Sequence, residues 1–270
     1  MKTIELSLIR YKENEFIAVN DTLAVEEPLE ISLVYEKEGL LHQKNISITM
    51  RTPGNDAPLV VGFLFTEGIL TSYEQIENLQ QLGENQFLVH IKKGVSLDLS
   101  KIERHFYTSS SCGVCGKSSI EAIQTLTQNY QSAARTKVKK EVIIGLNEKV
   151  KAKQIIFEST GGLHASALFS IEGICETLSE DVGRHNALDK LIGSQLLINK
   201  LPLSNHILFL SGRASFELIQ KAAMAEIPII CALGAPSSLA VELAVATNTT
   251  LIGFVKAHSF NIYCGKERVE

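Results

Sequence analysis

The pattern of apolar and polar positions divides the chain into regions of different kind. In segments 19–36 and 44–56, β-branched residues alternate with polar residues and turn residues lie between them, which predicts strands. Segment 57–70 is almost continuously apolar, with a proline in its first turn and a glycine near its end, which predicts a helix. We therefore expect a small amino-terminal α+β subdomain over residues 1–105.

Strands and helices alternate strictly in residues 154–270. An alternating pattern over 163–181 predicts a β-hairpin, and three continuous apolar runs follow it at 206–210, 227–233 and 250–255, with helical segments between them. Short right-handed crossovers between such elements build a parallel sheet with helices on both faces. The predicted fold class is α/β, with a mostly parallel mixed sheet in this larger domain.

Residues 106–153 lie between these regions and contain a Ser/Gly-rich loop with two cysteines, an amphipathic helix and a basic connector. Residues 101–153 carry 10 basic and 4 acidic side chains, although the net charge of the whole chain is −4. We interpret the basic stretch 135–153 as a solvated surface segment or linker, the alternative being a patch for an anionic partner. The overall charge does not indicate nucleic-acid binding.

The number of cysteines and the absence of long apolar runs indicate the cellular compartment. Five cysteines are an odd number, which argues against a secreted disulfide framework. No segment approaches the roughly 18 apolar residues of a membrane span, so we expect a cytoplasmic protein without membrane attachment. Cys175 and Cys231 lie in apolar strand-like runs and are predicted to be inert thiols, whereas the role of Cys264 is open. The apolar sheet domain is compatible with a symmetric homodimer.

Loops after the predicted strands of the larger domain favour a ligand site, because ligands of such sheets bind at the carboxyl ends of the strands. Small residues let an anion approach backbone N–H groups, and Arg184, Arg213 and Lys256 supply positive charge. We predict an anion-binding site to which His185 and Ser211 also contribute. The alternative is that glycine and serine only form turns and caps. The loops are SEDVGRHN (179–186), LSGRAS (210–215), LGAPSS (233–238) and FVKAHS (254–259).

The motif Cys112-Gly-Val-Cys115 permits three chemistries: half of a zinc site, a dithiol redox switch, or a nucleophilic thiol with a neighbour. No second C-x-x-C is present and the histidines are scattered, so we predict no metal site. The lead-in HFYTSSS is polar, unlike the buried strand before a thioredoxin motif. A flexible loop whose thiolate is favoured by a following helix and by Lys117 suits a sulfur acceptor.

Six segments spread over most of the chain together resemble the FdhD/NarQ family, the sulfurtransferases required for formate dehydrogenase activity. They are RTPGNDAPLVVGFLFTEGI, SSSCGVCGKSS, STGGLHASALF, EDVGRHNALDKLIG, LSGRASFELIQKAA and GAPSSLAVELA. The resemblance implies that a cysteine desulfurase places a persulfide on Cys112. It also implies that the sulfur passes to a molybdenum or tungsten bis-pterin cofactor, Mo-bis(molybdopterin guanine dinucleotide), before insertion into formate dehydrogenase.

The resemblance further implies a three-layer α/β/α core like that of cytidine deaminases. Zinc deaminases use H-x-E and P-C-x-x-C at two helix starts. The corresponding positions hold Gly183-Arg184-His185-Asn186 and Ser211-Gly212-Arg213, which lack the glutamate and the cysteines, so deamination is disfavoured. The family's cofactor-binding segment is carried over onto Phe254, Val255, Lys256, Ala257, His258 and Ser259.

The sequence therefore leads to one main hypothesis and two alternatives. The main one is a sulfur carrier in which Cys112 accepts the sulfur, Cys115 releases or protects it, and GDP mimics the ends of the cofactor. The alternatives are a non-catalytic chaperone of the cofactor and a zinc-dependent nucleotide hydrolase.

Overall fold

The amino-terminal region forms two separate sheets and one helix. The structure, a computed structural model, describes residues 1–97, 99 and 136–270. The elements of this region are β1 (Thr3–Lys12), β2 (Glu15–Ala24), β3 (Glu27–Lys37), β4 (Leu40–Arg51), α1 (Asp56–Thr66), β5 (Ile76–Gln81) and β6 (Gln86–Ile91). An antiparallel hairpin of β1 and β2 precedes a sheet in the order β4-β3-β6-β5, in which only β3 and β6 are parallel. The strands and the helix predicted from the sequence are thus confirmed.

The carboxy-terminal region builds one six-stranded sheet with helices. Its helices are α2 (Lys140–Lys151), α3 (Ile155–Thr160), α4 (Arg184–Leu197), α5 (Phe216–Met224) and α6 (Ser238–Ala246). Its strands are β7 (His164–Ser170), β8 (Cys175–Asp181), β9 (His206–Leu210), β10 (Ile229–Ala232), β11 (Thr250–Lys256) and β12 (Ser259–Cys264). The strand order is β12-β11-β10-β9-β7-β8.

Connection length decides the direction of each strand in this sheet. β9, β10 and β11 are parallel neighbours, and α5 and α6 provide the crossovers that parallel pairing needs. β7 and β12 run the opposite way, because short turns join β7 to β8 and β11 to β12. The α/β class is confirmed. Four of the six strands share one direction, but only two of the five neighbouring pairs are parallel, so the sheet is mixed rather than mostly parallel as predicted. The resemblance to a cytidine-deaminase core stays a prediction.

The two faces of this sheet are covered by different helices. Alternate residues of each strand point to opposite faces, so Phe209 packs beneath α2, while Leu208 and Leu210 pack with α4, α5 and α6. The second set also includes the core of the amino-terminal sheet and α1, which makes it one continuous cluster. No helix of the described residues has the length and apolar composition to cross a bilayer.

The helix α2 lies in the stretch that the sequence analysis interpreted as a solvated segment or linker. Its side chains Ile143, Leu146 and Val150 are buried against the sheet, and its lysines face solvent. A helix with a narrow apolar stripe and a basic opposite face has little net hydrophobicity, which explains why the sequence suggested a solvated segment. Because the apolar stripe is buried, residues 140–151 pack as part of the layer that covers one face of the sheet.

The two regions meet where α1 crosses α4 at very short range. A Cβ added to Gly62 would overlap the carbonyl group of Asp189, and one added to Gly193 would overlap the carbonyl oxygen of Pro58. The two backbones are therefore in direct contact at this point. Only glycine allows such an approach, which explains why two helices carry a residue of poor helix propensity at these positions.

A buried lysine fixes α1, α4 and α5 to one another beside this crossing. The Lys221 Nζ lies 2.8 Å from Glu67 Oε1, 2.9 Å from Thr66 Oγ1 and 3.0 Å from Asp189 Oδ2. The Thr66 hydroxyl in turn donates to Asp189 Oδ1 over 2.7 Å. Burial alone would lower the pKa of Lys221, but the charges of Asp189 and Glu67 outweigh it and raise that pKa. The lysine is therefore charged and fully partnered in the interior.

We predict that Gly62→Ala and Gly193→Ala each lower the free energy of unfolding by about 3 kcal/mol or more, the upper end of overpacking effects, because backbone rather than a side chain must move. Urea denaturation measures this effect. Gly145→Ala is the matched control: this glycine lies inside α2 with open space around its Cβ position, so alanine there should stabilise by roughly 0.5–1 kcal/mol. Equal effects at all three positions would contradict the close crossing.

Candidate functional site

Loops after β9 and β10 lie side by side at one end of the sheet, as the sequence predicted. The backbone N–H of Gly234 donates to the carbonyl of Gly212 over 2.9 Å, and that of Ser237 donates to Ala214 over 3.0 Å. Phe254, near the end of β11, donates its N–H to the carbonyl of Gly234 over 3.2 Å. We call this end of the sheet, formed by residues 182–185, 211–215 and 233–237 together with His164 and Phe254, the carboxyl edge.

The turn that carries Arg184 and His185 reaches the same edge from β8. β8 ends at Asp181, and α4 begins directly after the turn, at Arg184. Asp181 is fully buried, and its Oδ1 accepts from the N–H of Gly183 over 2.8 Å. A carboxylate in this position fixes the backbone at the start of α4, so the directions of the two following side chains depend on it.

The amino-terminal region holds this turn in place from the other side. Lys190 Nζ lies 2.6 Å from Asp181 Oδ2 and donates to the carbonyl of Thr52 over 2.7 Å. The N–H of Thr52 donates to Asp181 Oδ2 over 3.2 Å, and Asn186 donates to the carbonyl of Met50 over 2.8 Å. Burial lowers the pKa of Lys190 and the Asp181 carboxylate opposes that shift. The RTPGND and EDVGRHN segments are thus two halves of one buried network.

His185 lies between the turn and the start of α5. Its Nε2 is 3.5 Å from Ser215 Oγ and 3.9 Å from Glu217 Oε2. The interaction with His185 lowers the pKa of the Glu217 carboxyl to about 2, against the opposing effect of burial. Glu217 therefore stays ionised at neutral pH and keeps an acidic group beside this imidazole. Sequence reasoning missed Glu217, because only the fold brings the first turn of α5 next to α4.

The arginines of the edge have no acidic partner among the residues that the structure describes. Arg184 makes no ion pair or hydrogen bond there, and its Nε is buried without an acceptor. Arg213 is exposed and has neither kind of contact. Ser211 Oγ accepts from the N–H of Ala165 over 2.7 Å and keeps its own hydrogen available to donate. The structure thus brings five of the predicted residues to one edge, namely Arg184, His185, Ser211, Arg213 and Phe254.

The predicted segment 254–259 divides into parts with different environments. Phe254 has a left-handed φ of 53° and a 39% exposed side chain at the carboxyl edge. Val255 is fully buried in the cluster beneath α2, so its side chain does not face a surface ligand. The exposed residues Lys256, Ala257, His258 and Ser259 form the tip of the β11–β12 hairpin. Two predicted segments overlap at Val255, the apolar run 250–255 and the loop 254–259, and the structure places this residue inside β11.

Three of the five cysteines fall in the described residues, and none of these three favours a thiolate. Burial raises the pKa of Cys231 in β10, and also of the half-buried Cys175 and Cys264. The Cys264 thiol also donates to the carbonyl of Thr249 over 3.2 Å. The predicted catalytic residues Cys112 and Cys115 lie outside the described residues. Within the described part, no three His, Cys, Asp or Glu side chains are grouped as a metal site would require.

Fold and edge together define a mixed α/β protein in which cationic side chains gather at strand ends. The chain belongs to the FdhD/NarQ family, whose model matches residues 24–270. It is 43% identical over 272 residues to the sulfur carrier protein FdhD of Streptomyces avermitilis, covering 97% of this chain and 94% of that one. It is also 43% identical to the protein of that name from Sulfurisphaera tokodaii, with 100% and 99% covered.

A solved structure agrees with the fold along the whole chain. The crystal structure of a candidate formate dehydrogenase accessory protein from Desulfotalea psychrophila superposes with a TM-score of 0.76, covering 100% of both chains. Its sequence identity to this chain is 21%. At this identity the likeness supports the fold alone. It assigns no role to individual side chains.

We predict that Lys190→Met lowers the free energy of unfolding by about 3–5 kcal/mol, because it leaves the Asp181 carboxylate buried and unpaired. The double variant Asp181→Asn/Lys190→Met should lose less than the sum of its two single variants, which chemical denaturation can measure. Lys137→Met is the control, since its pair with Glu270 is half-exposed and worth only about 0–1 kcal/mol. A Lys190 effect no larger than that of Lys137 would refute the buried network.

Proposed function

We propose that this protein is a cytoplasmic sulfur carrier that takes sulfur from a cysteine desulfurase onto Cys112. The sulfur then passes to the bis-pterin guanine dinucleotide cofactor of molybdenum, or tungsten, destined for formate dehydrogenase. Membership of the FdhD/NarQ family and relatives named sulfur carrier protein FdhD over nearly the full chain support the carrier role. The structural observation that supports the binding step is the pair Arg184 and Arg213 at the carboxyl edge, neither of which has an acidic partner within the described residues.

The sulfur transfer onto Cys112 is a thiol exchange. The Cys112 thiolate attacks the outer sulfur of the desulfurase persulfide, the S–S bond breaks, and the desulfurase thiolate leaves. Cys115 then has a defined role: its thiolate attacks the inner sulfur of the Cys112 persulfide and the outer sulfur leaves as hydrosulfide. The two thiols supply the two electrons of this step and become a disulfide, which a thiol reductant reopens for the next cycle.

The carboxyl edge is suited to the phosphates of the cofactor, which is the substrate of this reaction. Phosphate oxygens accept hydrogen bonds from arginine and from the backbone N–H groups of tight turns and helix starts. Arg184 and Arg213 supply the first kind of donor. The backbone N–H groups of residues 184, 185, 212 and 213 supply the second, since they have no acceptor within the described residues. Sulfur reaches the cofactor only if the loop with Cys112 meets this edge, in the same chain or across a homodimer.

We expect Cys112→Ala to abolish both persulfide formation and activation of formate dehydrogenase. Mass spectrometry after incubation with a desulfurase and cysteine detects the added sulfur, and formate oxidation in a strain that lacks the native protein reports the client. Cys264→Ala is the matched control, because burial raises the pKa of that thiol; it should load and activate normally. Normal client activity with Cys112→Ala would reject the carrier role.

We further expect Arg213→Ala and Arg184→Ala to weaken GDP binding about tenfold or more each. A charge-assisted hydrogen bond contributes roughly 1.5–3 kcal/mol net, and about 1.4 kcal/mol is a factor of ten. Calorimetry with GDP measures the loss, and Lys256→Ala tests the segment carried over from the family in the same way. Lys200→Ala, a surface cation outside the edge, should bind normally. Unchanged binding in both arginine variants and in Lys256→Ala would place the nucleotide elsewhere.

Client activation without Cys112 and the zinc content of the protein separate the two alternatives from this proposal. A non-catalytic chaperone would bind GDP but would activate its client without Cys112. A zinc-dependent hydrolase would contain about one tightly held zinc per chain, as structural and catalytic zinc sites do, and metal analysis of the purified protein measures it.

A further inference from the structure

His164 is a side chain of the carboxyl edge that the sequence pattern did not assign to the site. It is the first residue of β7, which runs opposite to β9, so the start of β7 lies beside the end of β9. Its register partner is Asp181 in β8, and the loop after β9 lies on its other side. The imidazole Nδ1 would lie 3.3 Å from a Cβ added to Gly212. The glycine therefore leaves room for the ring against the loop backbone.

The surroundings of His164 are cationic and offer the ring no partner. Neither ring nitrogen has a hydrogen bond within the described residues. Burial lowers the pKa of His164, the charges of Arg184 and His185 lower it further, and only Asp181 opposes them. Asp181 is itself occupied by Lys190 and by backbone N–H groups. The ring is thus neutral at physiological pH and half-buried. It also lies within electrostatic range of Arg184, which has no anionic partner among the described residues.

We propose that His164 is a phosphate-binding residue of the carboxyl edge and takes up a proton from solvent when the dianionic phosphate of a nucleotide binds there. A phosphate bound near Arg184 counteracts the positive charges that disfavour the imidazolium. Its own negative charge then favours the protonated form of the His164 ring. The proton adds to the free ring nitrogen, so both ring nitrogens can donate, one of them to a phosphate oxygen. This proposal rests on the proposed nucleotide binding and adds a residue and a proton to it.

The groups that face His164 decide which other residue could take up the proton. From α4 and the turn before it these are Arg184 and His185; from β8 it is Asp181. Arg213 belongs to the loop after β9, and Glu217 in α5 faces His185. Arginine does not titrate near neutral pH, and Glu217 stays ionised. His185 is therefore the one other group of this set that can accept the proton.

Calorimetry of GDP binding in buffers of different ionisation enthalpy counts the protons exchanged. At neutral pH we expect net proton uptake in the natural chain. His164→Gln should bind GDP about tenfold more weakly, the effect of one lost charge-assisted contact, and without the uptake. His42→Gln, which changes an exposed histidine of the amino-terminal sheet, should retain both affinity and uptake.

Histidine ring signals in NMR provide a second readout that needs no stable variant. The His164 signal should titrate below the ordinary histidine range in the free protein and move to higher pH when GDP is added. GDP binding without proton uptake would overturn the His164 proposal and leave the proposed function standing. Uptake that survives His164→Gln and disappears in His185→Gln would assign the proton to His185 instead. A chain that does not bind GDP would refute both.

Discussion

The backbone contact between α1 and α4 determines how the amino-terminal region packs against the larger sheet. Because Gly62 and Gly193 let the two helices touch, Thr66 and Glu67 of one region reach Asp189 and Lys221 of the other. A side chain at either glycine would separate the helices and leave these charges without partners in an apolar interior, where unpaired charge is costly. The crossing thus makes the amino-terminal region part of the core rather than an appended module.

The carboxyl edge is held in place from the amino-terminal region by the segment that precedes α1. The turn with Arg184 and His185 is held by Asp181, and Asp181 is held by Lys190 and by the backbone of Thr52. The segment around Thr52 is fixed in turn by Arg51, whose buried guanidinium pairs with Asp56 and contacts β3 and the β5–β6 turn. The carboxyl edge of the larger sheet is therefore oriented by residues 51–56, at the end of β4 and the start of α1.

Much of this architecture could be predicted from the sequence, because continuous apolar runs mark strands buried on both faces and alternation marks hairpins. The packing of α2 was not predicted. Its residues Ile143, Leu146 and Val150 have helical spacing, but the many lysines around them made the segment resemble a solvated linker. Arg184, Arg213 and Ser211 were predicted from loop chemistry at strand ends. His164 and Glu217 were missed, because a residue that begins an antiparallel strand or the next helix reaches the edge only through the topology.

The proposed function requires that the carboxyl edge bind the phosphates of the guanine dinucleotide end of the cofactor. A crystal structure of the protein with GDP tests it most directly. We expect phosphate oxygens within hydrogen-bond distance of Arg184 and Arg213, with the His164 ring and the backbone N–H groups of the loop after β9 beside them. GDP bound away from this edge, with neither arginine in contact with a phosphate, would contradict this binding.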